Sequence, residues 1–277
     1  VKPLLPSLAA AAALLGSPPA LAEPPPAVRL AHAFVALCDN DHQGIVPVSR
    51  ALGDGDDPVH NLYWGARHGV RTYLERAPGW RRLAVRRAAG GPVLERAVFL
   101  HVKTGLVLVA DAYRGREIAA AMRDFLEAAA GRRRAEVVEL QAPGVALRLE
   151  AADLLAYVGH DGLMDGDNPE VRALLAALPA RAPGAPSRPV MVIACDSRGW
   201  FGGPLRAAGA EPWLLTTGLL PAEAYPLEAA AVAWAEGGAP AQVREAAARA
   251  FARYQGCSLA AARRLFATKP SPSRHRQ

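Results

Sequence analysis

Two apolar runs in this chain each deliver a side chain that can move protons or attack an acyl carbon. Residues 154–159 lead to His160, and residues 189–194 lead to Cys195. Short runs rich in β-branched and aliphatic residues, bounded by Gly and Pro, read as buried strands of a parallel sheet. Open α/β sheets build their sites at the C-terminal ends of such strands. A His and a Cys at neighbouring strand ends suit a thiolate–imidazole pair, the arrangement of cysteine hydrolases. Around them the sequence reads GHDGLMDGDN and ACDSRGW. Cys195 is the candidate nucleophile and His160 the candidate acid/base. Backbone N–H groups near Asp161, Gly162 and Cys195 are candidate donors to an oxyanion. Trp200 and Phe201, just beyond the Cys, are candidate walls of a substrate cleft.

Other chemistries find little support. No Walker-type loop, no GxGxxG after a strand and no GxSxG elbow occurs, so nucleotide binding and serine α/β-hydrolase chemistry lack a motif. The histidines show no HExxH pattern and the three cysteines no zinc spacing. Acidic positions cluster at Asp161, Asp165, Asp167 and Asn168, and again at Asp39, Asp41, Asp54, Asp56 and Asp57. Both clusters read as turns, caps and solvated loop rather than cation sites, and no metal or cofactor is expected. The formal net charge is +6. The arginines are scattered rather than gathered in a stripe, so no nucleic acid is expected as partner.

The elements that must position this pair follow from periodicity. Residues 30–38 read as a first strand, and 39–58 as a long polar loop. Residues 61–76 carry helical spacing, with Leu62, Ala66, Val70 and Leu74 on one face. Strands are expected at 82–86, 97–102 and 106–109, turned at Gly90-Gly91 and Thr104-Gly105. An amphipathic helix covers 116–130, and 136–150 suits a hairpin. A helix at 169–178, with Pro169 early in it, fits between the two strands of interest. A strand at 213–217 and helices at 223–236, 241–255 and 259–266 complete the pattern. Strands alternating with helices imply a mainly parallel central sheet with helices on both faces.

Residues 1–22 read as a secretory signal: Lys2, a short apolar run over 8–16, and the Ala20-Leu21-Ala22 cleavage site. A single domain is expected over 23–267, followed by a disordered basic tail at 268–277. No membrane span is expected in the mature chain, which belongs on this reading in the periplasm or outside the cell. In an oxidising compartment three cysteines leave one unpaired. Cys195 is the expected free thiol, with Cys38 and Cys257 free and buried or paired. A thiol–disulfide role for Cys38 with Cys195 lacks a C-x-x-C motif.

An apolar block ending at a His-containing Gly loop, followed by an apolar block ending in Ala-Cys, resembles the caspase-like cysteine peptidases, the group of caspases, metacaspases, legumains, gingipains and separase. The first strand LAHAFVALCDN, the helix NLYWGARHGVRTYL and the segment EPWLLTTGLLPAEAY extend the likeness over roughly residues 30–230. The resemblance implies a caspase-like fold, a peptide or protein substrate and a Cys195–His160 dyad. It places substrate-pocket residues at Asp39, Asn40 and His42 and at Thr216 and Thr217. The family has Gly directly after its His, whereas here Asp161 precedes Gly162. That departure favours an alternative, a non-catalytic binding or scaffold protein with a vestigial dyad.

Overall fold

The computed structural model describes residues 29–139 and 146–270. The expected signal segment and residues 271–277 of the expected tail lie outside them. Among the described residues ten strands form: β1 (Arg29–Ala36), β2 (Trp80–Arg87), β3 (Val93–His101), β4 (Leu106–Tyr113), β5 (Val137–Glu139), β6 (Ala146–Arg148), β7 (Leu154–Val158), β8 (Pro189–Ile193), β9 (Glu211–Thr216) and β10 (Phe266–Ala267). The helices are α1 (Val70–Arg76), α2 (Ile118–Ala129), α3 (Pro169–Ala176), α4 (Ser197–Trp200), α5 (Gly202–Ala207), α6 (Ala224–Ala235), α7 (Pro240–Gln255) and α8 (Leu259–Arg264).

Eight strands make one sheet in the order β10-β9-β8-β7-β1-β4-β3-β2, and β5 with β6 forms the expected separate hairpin. From β9 across to β4 neighbouring strands run parallel. The sheet is mixed at its margins. β2, β3 and β4 are linked by tight Gly-containing turns and therefore pair antiparallel, as does the short β10 on β9. β4 and β7 are buried at every position, as continuous apolar runs demand.

Alternate residues of each central strand feed two separate buried clusters, because side chains on a strand alternate between faces. Ala31, Ala33 and Val35 join Leu74, Tyr225, Trp234, Val243 and Phe251. Phe34 and Ala36 join Met122, Phe125, Leu126, Val171, Leu174 and Leu205. Among the described residues no helix is long and apolar enough to cross a membrane.

Three local expectations change. The helix expected over 61–76 begins only at Val70. The Asn61 amide explains this: it accepts from Cys38 and Tyr63 N–H and donates to the Cys38 and Asp54 carbonyls. A side chain committed to the backbone in this way competes with helix formation. The chain after Cys195 forms the short helices α4 and α5, which its glycines and Pro204 conceal in the sequence. The last helix stops at Arg264, and Phe266 turns into the edge strand β10.

Candidate active site

β7 and β8 pair in parallel with Val158 opposite Ile193. His160 and Cys195 therefore each stand two residues beyond a matched pair, on adjacent strand ends about 4.8 Å apart in the pairing direction. Gly159 N–H still donates to the Ile193 carbonyl at 3.2 Å, extending the pairing to the threshold of the His. Gly159 has φ of 147°, and a Cβ there would lie 2.7 Å from the Ala36 carbonyl oxygen. Only glycine lets the chain leave the sheet so close to the end of β1.

The His160 imidazole is 7% exposed. Its Nε2 lies 2.9 and 3.0 Å from the two carboxylate oxygens of Asp165. A carboxylate only accepts, so Nε2 carries a proton towards Asp165, which leaves Nδ1 as the ring's base position. Asp165 is itself held: Gly44 N–H donates to it at 3.2 Å. A Cβ on Gly44 would meet Asp165 Oδ1 at 2.4 Å, so the loop after β1 approaches this carboxylate as closely as backbone can. Sequence reasoning read Asp165 only as part of an acidic turn. Its position five residues after His160, in a Gly-rich loop, is the signal available.

Cys195 is half-buried, and its Sγ donates to the Leu220 carbonyl at 3.6 Å. No hydrogen bond joins it to His160 among the described residues. Burial raises the Cys195 thiol above its ordinary range, and the charges of Asp161 and Asp196 add to that, against the Leu220 contact. The chain turns sharply here. Asp196 adopts the left-handed region with φ 41°, its N–H bonded to the Gly218 carbonyl at 3.0 Å. Ser197 then opens α4, its hydroxyl 3.0 Å from the Val192 carbonyl and 3.0 Å from Thr216 Oγ1. All three cysteines are free thiols. Burial, helped by Asp39, pushes the Cys38 thiol up to about 12.

The remaining expected site residues divide. Asp39, Asn40 and His42 line a cavity of about 360 Å³ together with Asp41, Arg50, Asp54 and Asp56. Asp39 organises it. Its carboxylate accepts from Asp41 and His42 N–H and lies 3.0 Å from His42 Nδ1. Asn40 pairs its amide with both backbone groups of Val48. Gly44, in the same loop, donates to Asp165 and so ties the loop to the carboxylate that holds His160.

Thr216, by contrast, is fully buried, its hydroxyl committed to Ser197 N–H and the Ala194 carbonyl. It fastens β9 beneath the Cys195 turn. Thr217 bonds the Arg264 carbonyl on the β10 side. Trp200 packs against the α2-side cluster, and Phe201 is wholly buried in it, 5.4 Å from the Tyr157 ring. Thr216 and Phe201 are thus buried supports of the site, whereas Trp200 and Thr217 keep part of their surface exposed.

One of the expected oxyanion donors is already engaged. Gly162 N–H is spent on the His160 carbonyl at 3.1 Å. Asp161 is fully buried, with Oδ1 accepting from Leu163 N–H and Oδ2 lacking a partner. Burial pushes its carboxyl well above the usual range, and the Asp196 and Asp165 charges reinforce this. Tyr63, unremarked in the sequence, is a buried neighbour. Burial raises its hydroxyl first, and the charges of Cys38, Cys195 and Glu223 raise it further. Among the described residues no group of three His, Cys, Asp or Glu side chains is arranged to hold a metal ion.

No protein-family model, curated protein or solved structure matches this chain. The chemistry therefore rests on the geometry: an oriented imidazole and a free thiol at matched ends of adjacent parallel strands, with an acidic cavity in the loop that follows β1.

Proposed function

We propose that the protein is a cysteine peptidase or related thiol amidohydrolase of caspase-like fold, with helices covering both faces of its sheet. The observation that carries this reading is the matched placement of Cys195 and an Asp165-clamped His160 beyond β7 and β8. His160 Nδ1 takes the Sγ proton as Sγ attacks the acyl carbon of a peptide. The C–N bond breaks, and the imidazolium returns that proton to the leaving amine. Water, deprotonated by Nδ1, then cleaves the thioester to release the acid and restore the thiol. The Asp39–Asp56 cavity suits a basic side chain of the substrate. The secreted placement expected from residues 1–22 belongs to the same proposal.

The alternative, a binding or scaffold protein with a vestigial dyad, draws on one observation. The Cys195 thiol is hydrogen-bonded to Leu220 rather than to His160.

Labelling of Cys195 with iodoacetamide, read by mass spectrometry, separates the two. His160→Ala is expected to slow labelling at neutral pH by about tenfold or more. Asp165→Asn is expected to slow it too. An Asn amide can donate to Nε2, moving the proton to Nδ1 and removing the base. A Cys195 rate indifferent to His160→Ala refutes the catalytic reading and leaves the scaffold.

A further inference from the structure

A second cavity, of about 230 Å³, opens between α1 and the end of α7. It is lined by Arg67, His68, Tyr73, Arg76, Pro78 and Tyr254, and no acidic side chain lines it. That absence sets it apart from other arginine-rich places in the fold. Arg96 and Arg133 also line a cavity, but Arg96 binds Asp111 and Glu136, and Arg133 lies 3.4 Å from Asp124 and Glu136. Arg263 is held by Glu245. Arg67 and Arg76 are exposed and make no ion pair among the described residues.

The wall of the cavity is aromatic. Tyr225 and Tyr254 stack at 4.5 Å with their planes 10° apart. His68 meets Tyr254 edge-on at 5.4 Å, and Tyr73 meets it at 5.8 Å. The Arg253 guanidinium lies 5.8 Å from the Tyr254 ring centre. The Tyr73 and Tyr254 hydroxyls are 3.2 Å apart. One O–H proton serves that contact, which leaves the other for a ligand. Burial raises the Tyr73 hydroxyl, so it remains a donor. His68 Nδ1 is buried without a hydrogen-bond partner, an orphaned polar atom beside the cavity. Acids of neighbouring segments are engaged elsewhere: Glu75 accepts from Arg82, Glu228 from Trp80 Nε1, and Glu223 from the Tyr225 hydroxyl.

We infer that this cavity binds a small planar anion, an aromatic ring bearing a phosphate or carboxylate group. Arg67 and Arg76 hold the anionic end by charge-assisted hydrogen bonds. The ring lies against Tyr73 and Tyr254, where aromatic contact favours a flat partner.

Calorimetric titration of the whole chain tests this with phenyl phosphate, benzoate, inorganic phosphate and benzyl alcohol. Phenyl phosphate or benzoate is expected to bind at a single site about tenfold more tightly than inorganic phosphate, and benzyl alcohol not at all. Whichever of the two binds tighter assigns the anionic group. The Arg67→Gln/Arg76→Gln double variant is expected to lose about tenfold or more in affinity, and Tyr254→Leu a similar factor. Arg263→Gln is expected to bind as wild type. Both altered arginines are exposed, and an unchanged unfolding midpoint verifies that the fold is kept. Cys195→Ala is expected to bind normally, so the result stands apart from the catalytic reading. Aromatic anions that bind no tighter than inorganic phosphate, or equally well to the double variant, overturn the proposal.

Discussion

The Cys195 sulfur works against its surroundings. Half-burial and the carboxylates of Asp161 and Asp196 all keep its proton on, so its labelling rate is expected to rise with pH through a midpoint above that of an exposed thiol. Asp196 contributes a second strain, because it holds the left-handed region that only glycine enters freely. Asp196→Gly removes the charge and the strain together. The expected outcome is a lower midpoint in the rate–pH profile and a gain of about 1 kcal/mol in urea unfolding. A midpoint that stays put shows that the Asp196 charge does not reach the sulfur. Cys38, pushed up to about 12, serves as the slow internal reference in the same spectra. His160 and Cys195 were legible in the sequence because each closes an apolar run between Gly or Pro residues. Asp165 was not, because the choice among Asp161, Asp165 and Asp167 is made by the fold of the loop and by the approach of Gly44, which is remote in sequence.

The ends of the strands decide whether these side chains meet. β7 reaches His160 only through Gly159, whose φ of 147° and 2.7 Å approach to the Ala36 carbonyl leave no space for a Cβ. Gly159→Ala is therefore expected to destabilise the fold by about 2–4 kcal/mol and to displace His160. Urea unfolding measures the first effect. The second appears as loss of the His160-dependent part of the Cys195 labelling rate. A variant with wild-type stability and wild-type labelling means that the chain can leave the sheet by another path. The central strands β1, β7 and β8 were readable because burial on both faces writes an uninterrupted apolar run. The mixed margin was less so: an antiparallel hairpin and a parallel crossover share similar strand sequences, and only the short Gly turns between β2, β3 and β4 tell them apart. Residues 61–69 kept a helical pattern that the Asn61 amide overrides, and the role of Thr216 depends on Ser197, a partner on another element. Such pairings arise from tertiary contact and leave no local trace.

Across the whole molecule, buried charges pull stability in opposite directions with pH. His32, Asp111 and Arg96 form a ladder over β1, β4 and β3, with His32 Nε2 2.8 Å from Asp111 and Arg96 gripping the same carboxylate. Burial opposes ionisation of Asp111, but the hydrogen bonds from Arg96 and His32 outweigh it and hold its carboxyl well below the usual range. A depressed carboxyl contributes stability that is complete above its unfolded value, about 3.9, and is lost as pH falls. His32 acts in the same sense. Burial keeps it neutral, so below about pH 6.5 the unfolded chain takes up a proton that the folded chain resists. Asp161 and Glu228 act in the opposite sense. Burial raises both carboxyls, so they weaken the fold at neutral pH, and acid relieves that penalty. Asp111→Asn leaves Arg96 without its buried partner and is expected to destabilise by about 3–5 kcal/mol at neutral pH. It is expected to leave the fall in stability between about pH 7 and about pH 4.5 largely unchanged, because the Asp111 contribution is complete above about pH 3.9. Asp161→Asn is expected to raise stability at neutral pH and to steepen that fall. Urea unfolding of the two variants at both pH values reads the four numbers. If Asp161→Asn destabilises at neutral pH, its buried carboxyl is a structural bond rather than a charge kept beside Cys195 at the expense of the fold.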